Sequence, residues 1–213
     1  LDAERYTRGL AAVGNGRFSG GLDNLRAAAD AQPWNTQYRA EYAYAAGLAA
    51  GQGDRAAADE AISAYRRALQ DEPNQALWWA NLAALEWDRG EQAAALIAMR
   101  RAVSAAPESA DLWLNHGVYS EAAGEWLTAH RAYERALQLA PRMARADFWR
   151  ETPLRRVAVT RASDAAVPEA AARRLWLVGD EDAAIAWLRR TITRDPTQSR
   201  PFIEVARLAL ILG

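Results

Sequence analysis

Three prolines divide the middle of the chain into equal periods. Pro73, Pro107 and Pro141 stand 34 residues apart, and they close the similar runs YRRALQDEP, MRRAVSAAP and YERALQLAP. Within each period a short turn of Gly and acidic residues separates two amphipathic stretches. Because proline cannot continue a helix, each one ends the second stretch and begins the next period. Self-similarity at this spacing predicts stacked helical hairpins.

The clearest period, from Asp111 to Pro141, resembles the tetratricopeptide repeat. The family pattern of aromatic, small and Gly positions is filled by Trp113, Gly117, Gly124, Trp126, Ala129, Tyr133, Ala136 and Pro141. The preceding period matches with Trp79, Ala83, Gly90, Ala95, Met99, Ala102 and Pro107. The resemblance implies an all-α fold, a right-handed α-solenoid of about five helix-turn-helix repeats. The sparse Gly and Pro and the abundant Ala favour helices independently.

Weaker copies of the pattern extend the solenoid in both directions, so we expect a single domain over residues 1–213. Pro33 and Pro73 are 40 residues apart, and we place the six extra residues in AAGLAAGQGD, as a longer first helix and loop. The expected segments are repeat 1 (1–33), repeat 2 (34–73), repeat 3 (74–107), repeat 4 (108–141), an insertion (142–162), repeat 5 (163–198) and a terminal helix (199–213).

Composition and motifs argue against a catalytic site. The chain has no Cys, and all 26 basic residues are Arg, so thiolate, Schiff-base and P-loop chemistry are excluded. His130 and Glu134 have metal-pair spacing, but no third ligand is evident, and we expect His116 to pack in the core. Acidic pairs fall at helix starts and turns, where capping explains them. We predict a non-enzyme with no cofactor and no metal.

In the tetratricopeptide family the first helices line a concave groove that binds a peptide or a partner helix, and the resemblance implies the same here. Projected onto the first helices, the spacing gives the groove residues Gln37, Glu41, Tyr44, Asn81, Ala84, Trp87, Asn115, Val118, Glu121, Arg173 and Trp176. Asn81 and Asn115 share a place that contacts ligand backbone in some members, although the consensus also has Asn there without a ligand. Trp87 and Trp176 either face the groove or pack on a neighbouring helix.

These features predict a non-catalytic scaffold for protein or peptide partners. The net charge of −1 argues against nucleic acid as a partner.

The insertion, RMARADFWRETPLRRVAVTRA, holds six Arg and two acidic residues. Thr152 and Pro153 predict a helix start, with Thr as N-cap and Pro at the first helical position. One interpretation is a structural joint, with the aromatic pair Phe148 and Trp149 packed on repeat 4. A second is a surface for anionic groups or a membrane, formed by Arg150, Arg155 and Arg156.

A third interpretation is that the FW..TPLR stretch resembles C-terminal domains of bacterial O-antigen ligase or polymerase-like membrane proteins. It implies an accessory extracytoplasmic domain of a glycan-handling enzyme as the alternative function. The Lys-free, Arg-rich composition is typical of a GC-rich bacterial genome. Since the chain starts at Leu1 without a signal sequence, we interpret it as an excised or processed domain. Its compartment, cytoplasmic or extracytoplasmic, stays open.

Overall fold

The structure is a computed structural model that describes residues 1–164, 175–176 and 179–194. Regular secondary structure within these ranges is entirely helical. The α-helices are α1 (Asp2–Gly14), α2 (Phe18–Ala31), α3 (Thr36–Gly51), α4 (Arg55–Asp71), α5 (Ala76–Asp88), α6 (Gln92–Ala105), α7 (Ala110–Ala122), α8 (Trp126–Leu139), α9 (Pro153–Asp164) and α10 (Glu181–Arg194). Two short 3-10 helices, η1 (Pro141–Arg145) and η2 (Asp147–Arg150), connect α8 to α9. None of the helices described has the length and apolarity needed to cross a membrane.

The first eight helices pair along the chain as hairpins, α1 with α2 through α7 with α8. The turn between α5 and α6 contains Gly90, which has a φ of 84°. The backbone N–H of the next residue, Glu91, donates to the carbonyl of Glu86 at 2.9 Å. This is a Schellman closure, which needs a residue in the left-handed region and therefore favours glycine. The same turn recurs at Gly16, Gly53, Gly124 and Gly179. Each predicted repeat thus contains one such turn.

The six extra residues of repeat 2 lengthen both of its helices. Helix α3 has 16 residues and α4 has 17, whereas α5 and α6 have 13 and 14. The turn between α3 and α4 has three residues, like the turn between α5 and α6. The longer first helix is confirmed, but the longer loop is wrong. Ala57, near the start of α4, is buried, so packing holds the added residues in helix.

The helices form two compact units, an N-terminal unit of residues 1–107 and a C-terminal unit of residues 108–213. In the N-terminal unit, fully buried Ala side chains alternate with large ones such as Leu25, Tyr65 and Met99. Small residues let helices approach, and large residues fill the remaining space. The rings of Tyr6 and Tyr38 stack at 4.3 Å near the starts of α1 and α3. The first helices of repeats 1 and 2 therefore start at the same end.

Within the C-terminal unit, the hairpin of α7 and α8 is packed tightly. A Cβ added at Gly117 would overlap the ring of Tyr133, so only glycine permits this approach. Residues 175–176 and α10 belong to a further hairpin, in which Leu175, Ala184 and Leu188 are buried together. The predicted terminal helix over 199–213 lies outside the described residues.

Helix α9 is reversed relative to the first helix of a regular repeat. Thr152, which caps α9 by accepting the Arg155 backbone N–H at 3.3 Å, also donates from its hydroxyl to Glu121 in the last turn of α7 at 2.8 Å. Helix α9 therefore starts where α7 ends. The two 3-10 helices carry the chain back along α8, with the rings of Phe148 and Trp149 at 5.7 and 5.5 Å from that of Tyr133.

This arrangement supports the structural interpretation of the insertion. Trp149 is fully buried and its indole N–H donates to the carbonyl of Met143 at 2.6 Å. It shares a core with Ala158 and Val159 of α9 and with Tyr133 of α8. The predicted helix start at Thr152 and Pro153 is confirmed.

Candidate functional site

In the N-terminal unit, α3, α4 and α5 enclose a small surface cavity of about 180 Å³. Its lining consists of Tyr44, Gly47, Leu48, Tyr65, Asn81, Ala84, Leu85 and Asp88. Three of the predicted groove residues, Tyr44, Asn81 and Ala84, therefore lie together. Tyr44 is 49% exposed, so its ring is available at the mouth of the cavity.

The amide of Asn81 is oriented by a hydrogen bond to Tyr65. Its Nδ2 donates to the hydroxyl of Tyr65 at 2.9 Å. Burial raises the pKa of Tyr65, and this effect outweighs the hydrogen bond from Asn81, which lowers it. An amide has two N–H donors and a carbonyl acceptor, so this bond uses only part of its capacity.

The other predicted groove residues of this unit, Gln37, Glu41 and Trp87, do not line the cavity. Gln37 is exposed and donates from Nε2 to Oε1 of Glu41 at 2.8 Å. Trp87 is half-buried in the last turn of α5. Glu41 is close enough to Tyr6 to add to the effect of burial, and both raise the pKa of that phenol.

A second, larger cavity of about 950 Å³ lies in the C-terminal unit between α7, α8 and α9. Its lining consists of Val118, Glu121, Ala122, Trp126, Leu127, His130, Thr152, Pro153, Leu154, Arg155 and Val157. Val118 and Glu121 were predicted as groove residues. Asn115 is exposed one turn earlier on α7 and is not part of this lining.

Trp176 and Arg173 were the remaining predicted groove residues. Trp176 is half-buried and packs against the core of Leu175, Ala184 and Leu188. Arg173 lies outside the described residues.

Glu121 lines the larger cavity, and its carboxylate accepts hydrogen bonds from three neighbouring side chains. Its carboxylate accepts hydrogen bonds from the Tyr133 hydroxyl at 2.6 Å, the Thr152 hydroxyl at 2.8 Å and Arg155 Nε at 2.7 Å. Burial alone would raise the pKa of Glu121, but these hydrogen bonds outweigh it and hold the pKa below its ordinary value. Glu121 therefore fastens α9 to α7.

Three arginines of the insertion, Arg150, Arg155 and Arg156, have partners within the insertion or next to it. The Arg155 guanidinium lies over the ring of Phe148, 3.8 Å from its centroid, and pairs with Glu121 and Glu151. Arg150 pairs with Asp147 at 3.0 Å, and Arg156 donates to the backbone carbonyl of Arg150 at 2.7 Å.

The anion-binding surface at Arg150, Arg155 and Arg156 stays a prediction: Arg150 and Arg156 are exposed, whereas Arg155 is not. Arg155 is largely buried and neutralised by carboxylates.

Sequence reasoning did not find the larger cavity, because the reversal of α9 creates it. One feature of the sequence could have indicated an apolar surface here: helix α8 begins with two large apolar residues, Trp126 and Leu127. His116 is buried, as expected for a core histidine. The Nε2 atom of His130 lies 3.2 Å from Glu134 Oε1, and among the described residues no group of three potential metal ligands is present.

Helical hairpins with a recurring glycine closure and a 34-residue period define the tetratricopeptide-repeat fold, and the chain has this fold. No family model and no curated protein sequence matches it.

Several solved structures are similar to the chain. One is MamA, with 17% identity, a TM-score of 0.59 and coverage of 93% of this chain and 94% of that chain. A tetratricopeptide repeat protein from Parabacteroides merdae has 16% identity, a TM-score of 0.58 and coverage of 100% and 73%. PilF from Pseudomonas aeruginosa has 17% identity, a TM-score of 0.55 and coverage of 98% and 96%. At these identities the likeness shows the fold alone, and it gives no support to the membrane-ligase alternative.

Proposed function

We propose that the protein is a non-catalytic scaffold that binds a peptide segment of a partner protein on the face formed by α3 and α5. The observation that carries this proposal is the juxtaposition of Tyr44 and Asn81 at one cavity, with Asn81 oriented by Tyr65. An oriented amide can both donate to and accept from a peptide bond of any sequence. An exposed tyrosine supplies a rigid apolar surface at low cost in conformational entropy.

The chemistry of the lining favours binding over catalysis. Tyr44, Leu48, Ala84 and Leu85 give apolar contact, while Asn81 gives directional hydrogen bonds. The residues lining the cavity include one carboxylate, that of Asp88, and no histidine that could serve as its partner in proton transfer. The scaffold proposed here therefore recognises a segment by shape and backbone hydrogen bonding.

A peptide selection against the full chain tests this proposal. The probe is a phage-displayed library of random nine-residue peptides, and the affinity of selected peptides is measured by fluorescence anisotropy. We expect the double substitution Tyr44→Ala and Asn81→Ala to weaken binding of one peptide group by about tenfold or more, since oriented aromatic anchors dominate interface energies.

Ile97→Ala is the matched control. Ile97 is an exposed apolar residue of the same unit, on α6 and away from the cavity, so its loss should leave affinity unchanged. If every selected peptide binds the Tyr44/Asn81 double variant as tightly as the unaltered chain, the groove assignment is wrong.

A further inference from the structure

We propose that Asn15 is a site of spontaneous deamidation, and that the turn between α1 and α2 restrains this modification until α1 opens from α2. Asn15 is the only asparagine of the chain that is followed by a glycine. Asn15 and Gly16 are both exposed, so water and base reach the carboxamide and the peptide bond after it. This inference does not depend on the proposed peptide groove.

The reaction needs only water and base from the solvent. The Gly16 backbone nitrogen loses its proton to base and attacks Cγ of Asn15. An N–Cγ bond forms and closes a five-membered succinimide ring, while the Cγ–Nδ2 bond breaks and ammonia leaves. Water then opens the ring at either carbonyl, so that asparagine and water give aspartate or isoaspartate and ammonia. Gly16 favours the attack because it has no side chain to crowd the nitrogen.

The native turn holds both reacting groups away from the ring geometry. Ring closure requires the Gly16 nitrogen to eclipse Cβ of Asn15, whereas at the observed ψ of 13° it nearly eclipses the backbone nitrogen of Asn15. The Gly16 N–H donates to the carbonyl of Val13 at 2.9 Å, and Nδ2 of Asn15 donates to the carbonyl of Ala11 at 2.8 Å. Deamidation therefore requires the turn to open.

The packing of α1 on α2 keeps this turn closed. A Cβ added at Gly21 of α2 would lie 2.7 Å from Cγ2 of Val13 and 3.1 Å from the carbonyl oxygen of Gly9, so only glycine permits this approach. Val13 is two residues before Asn15. Since a protected backbone N–H becomes reactive through local opening, the rate of deamidation depends on how often this end of α1 separates from α2.

Deamidation should in turn loosen the first hairpin. It replaces the Nδ2 donor by a carboxylate oxygen that repels the carbonyl of Ala11, and it places a negative charge at the C-terminal end of α1, which the helix dipole disfavours. The isoaspartate product also lengthens the backbone before Gly16. This moves the Arg17 N–H out of register with the Ala12 carbonyl, to which it now donates at 2.9 Å.

Peptide mapping by mass spectrometry tests this inference on the full chain. The chain is incubated at mildly alkaline pH, in native buffer and in guanidinium chloride, beside a synthetic peptide of residues 8–20. We expect Asn15 to be modified at similar rates in the peptide and in the denatured chain. In the native chain we expect a rate at least about fivefold lower, because protection follows the free energy of local opening.

Gly21→Ala and Gly20→Ala form a matched pair for the role of the turn. Both add one methyl group to α2 and gain the same helix propensity, but a Cβ at Gly20 meets nothing within 4 Å. We expect Asn15 to be modified about fivefold faster in Gly21→Ala than in Gly20→Ala. Circular dichroism verifies folding, and Val13→Ala, which removes packing from the other side of the contact, provides the test if Gly21→Ala is unfolded.

Three results would each overturn the inference: a native chain that is modified as fast as the peptide, a denatured chain in which Asn15 stays unmodified, or equal rates in Gly21→Ala and Gly20→Ala. Asn15→Asp reproduces one of the two products and tests the consequence. It should lower the urea midpoint of unfolding, and an unchanged midpoint would contradict the loosening of the hairpin.

Discussion

Glu121 shows how one residue can meet a sequence pattern and yet have a different role. Its position in α7 is that of a groove residue, but Tyr133, Thr152 and Arg155 all donate to its carboxylate. The repeat pattern determines the position of a residue on its helix, whereas the contacts of its side chain depend on which element packs against that helix. Here the opposite element is α9, whose placement the 34-residue period does not determine.

Replacing Glu121 should destabilise the protein in a pH-dependent way. Its pKa is lowered on folding, so its contribution is fully present above the ordinary glutamate value of 4.5 and is lost as the pH falls through the lower folded-state pKa. We expect Glu121→Gln to cost about 1.5–3 kcal/mol at pH 7, the range for loss of a hydrogen bond to a charged group, and to flatten the acid branch of the stability curve. Urea unfolding at pH 7 and pH 3.5 measures both effects.

Glu4→Gln is the control for this prediction. Glu4 is exposed and 3.9 Å from Arg8, so its loss should leave the unfolding midpoint nearly unchanged at both pH values. An acid dependence that is the same in Glu121→Gln and in the unaltered chain would contradict the proposed network.

At the scale of the element, the most informative segment is the run of 3-10 helices between α8 and α9. Trp149, in the second of these 3-10 helices, is fully buried, and the ring of Phe148 packs edge-on against it at 5.0 Å. The 3-10 segment is short, so it has little stability of its own and depends on these contacts.

Trp149→Ala should therefore cost about 3–5 kcal/mol, the range for truncating a buried tryptophan to alanine. Trp34→Ala should cost little, because Trp34 is 76% exposed. The free energy of unfolding from urea titration, followed by circular dichroism, measures the difference. Equal losses in the two variants would mean that Trp149 does not hold the segment in place.

The sequence predicted the regular elements well because their signals are local. In each repeat, proline ends the second helix and glycine ends the first helix through the Schellman closure. Both effects depend on the backbone of only a few residues. The distribution of the six extra residues between α3 and α4 was not predictable, since both helices are rich in Ala and neither sequence contains a stop that excludes the longer form.

The reversal of α9 and the larger cavity could not be predicted either. Both require the packing of Phe148 and Trp149 on Tyr133, which is separated from them in the chain and belongs to another helix. For the candidate groove, the period predicted Tyr44, Asn81 and Ala84 on the first helices of neighbouring repeats, and these three residues line one cavity. The support that Asn81 receives from Tyr65 emerged only from the structure.

At the scale of the whole molecule, each compact unit has its own buried core. The N-terminal unit contains three complete hairpins, and repeat proteins generally need about three repeats for stability because each hairpin buries its apolar face on its neighbours. Unit 1–107 should therefore be an independent folding unit.

A fragment of residues 1–107 should be helical and unfold cooperatively, while a fragment of residues 1–73, with two hairpins, should be markedly less stable. Far-UV circular dichroism with urea titration compares the two. A 1–107 fragment without helical structure would show that the N-terminal core is insufficient on its own.

The reversal of α9 also limits how such a gene can change. Tandem duplication lengthens a repeat array only if each new copy ends where the following copy can begin in the same direction. In the N-terminal unit this condition holds, because α1 and α3 start at the same end. After α8 the chain folds back and α9 starts at the end of α7, so a copy joined directly to α8 and beginning like α9 would run opposite to a regular first helix. We therefore expect natural length variants of this protein to gain or lose whole repeats before Pro141 and to keep the segment after it intact.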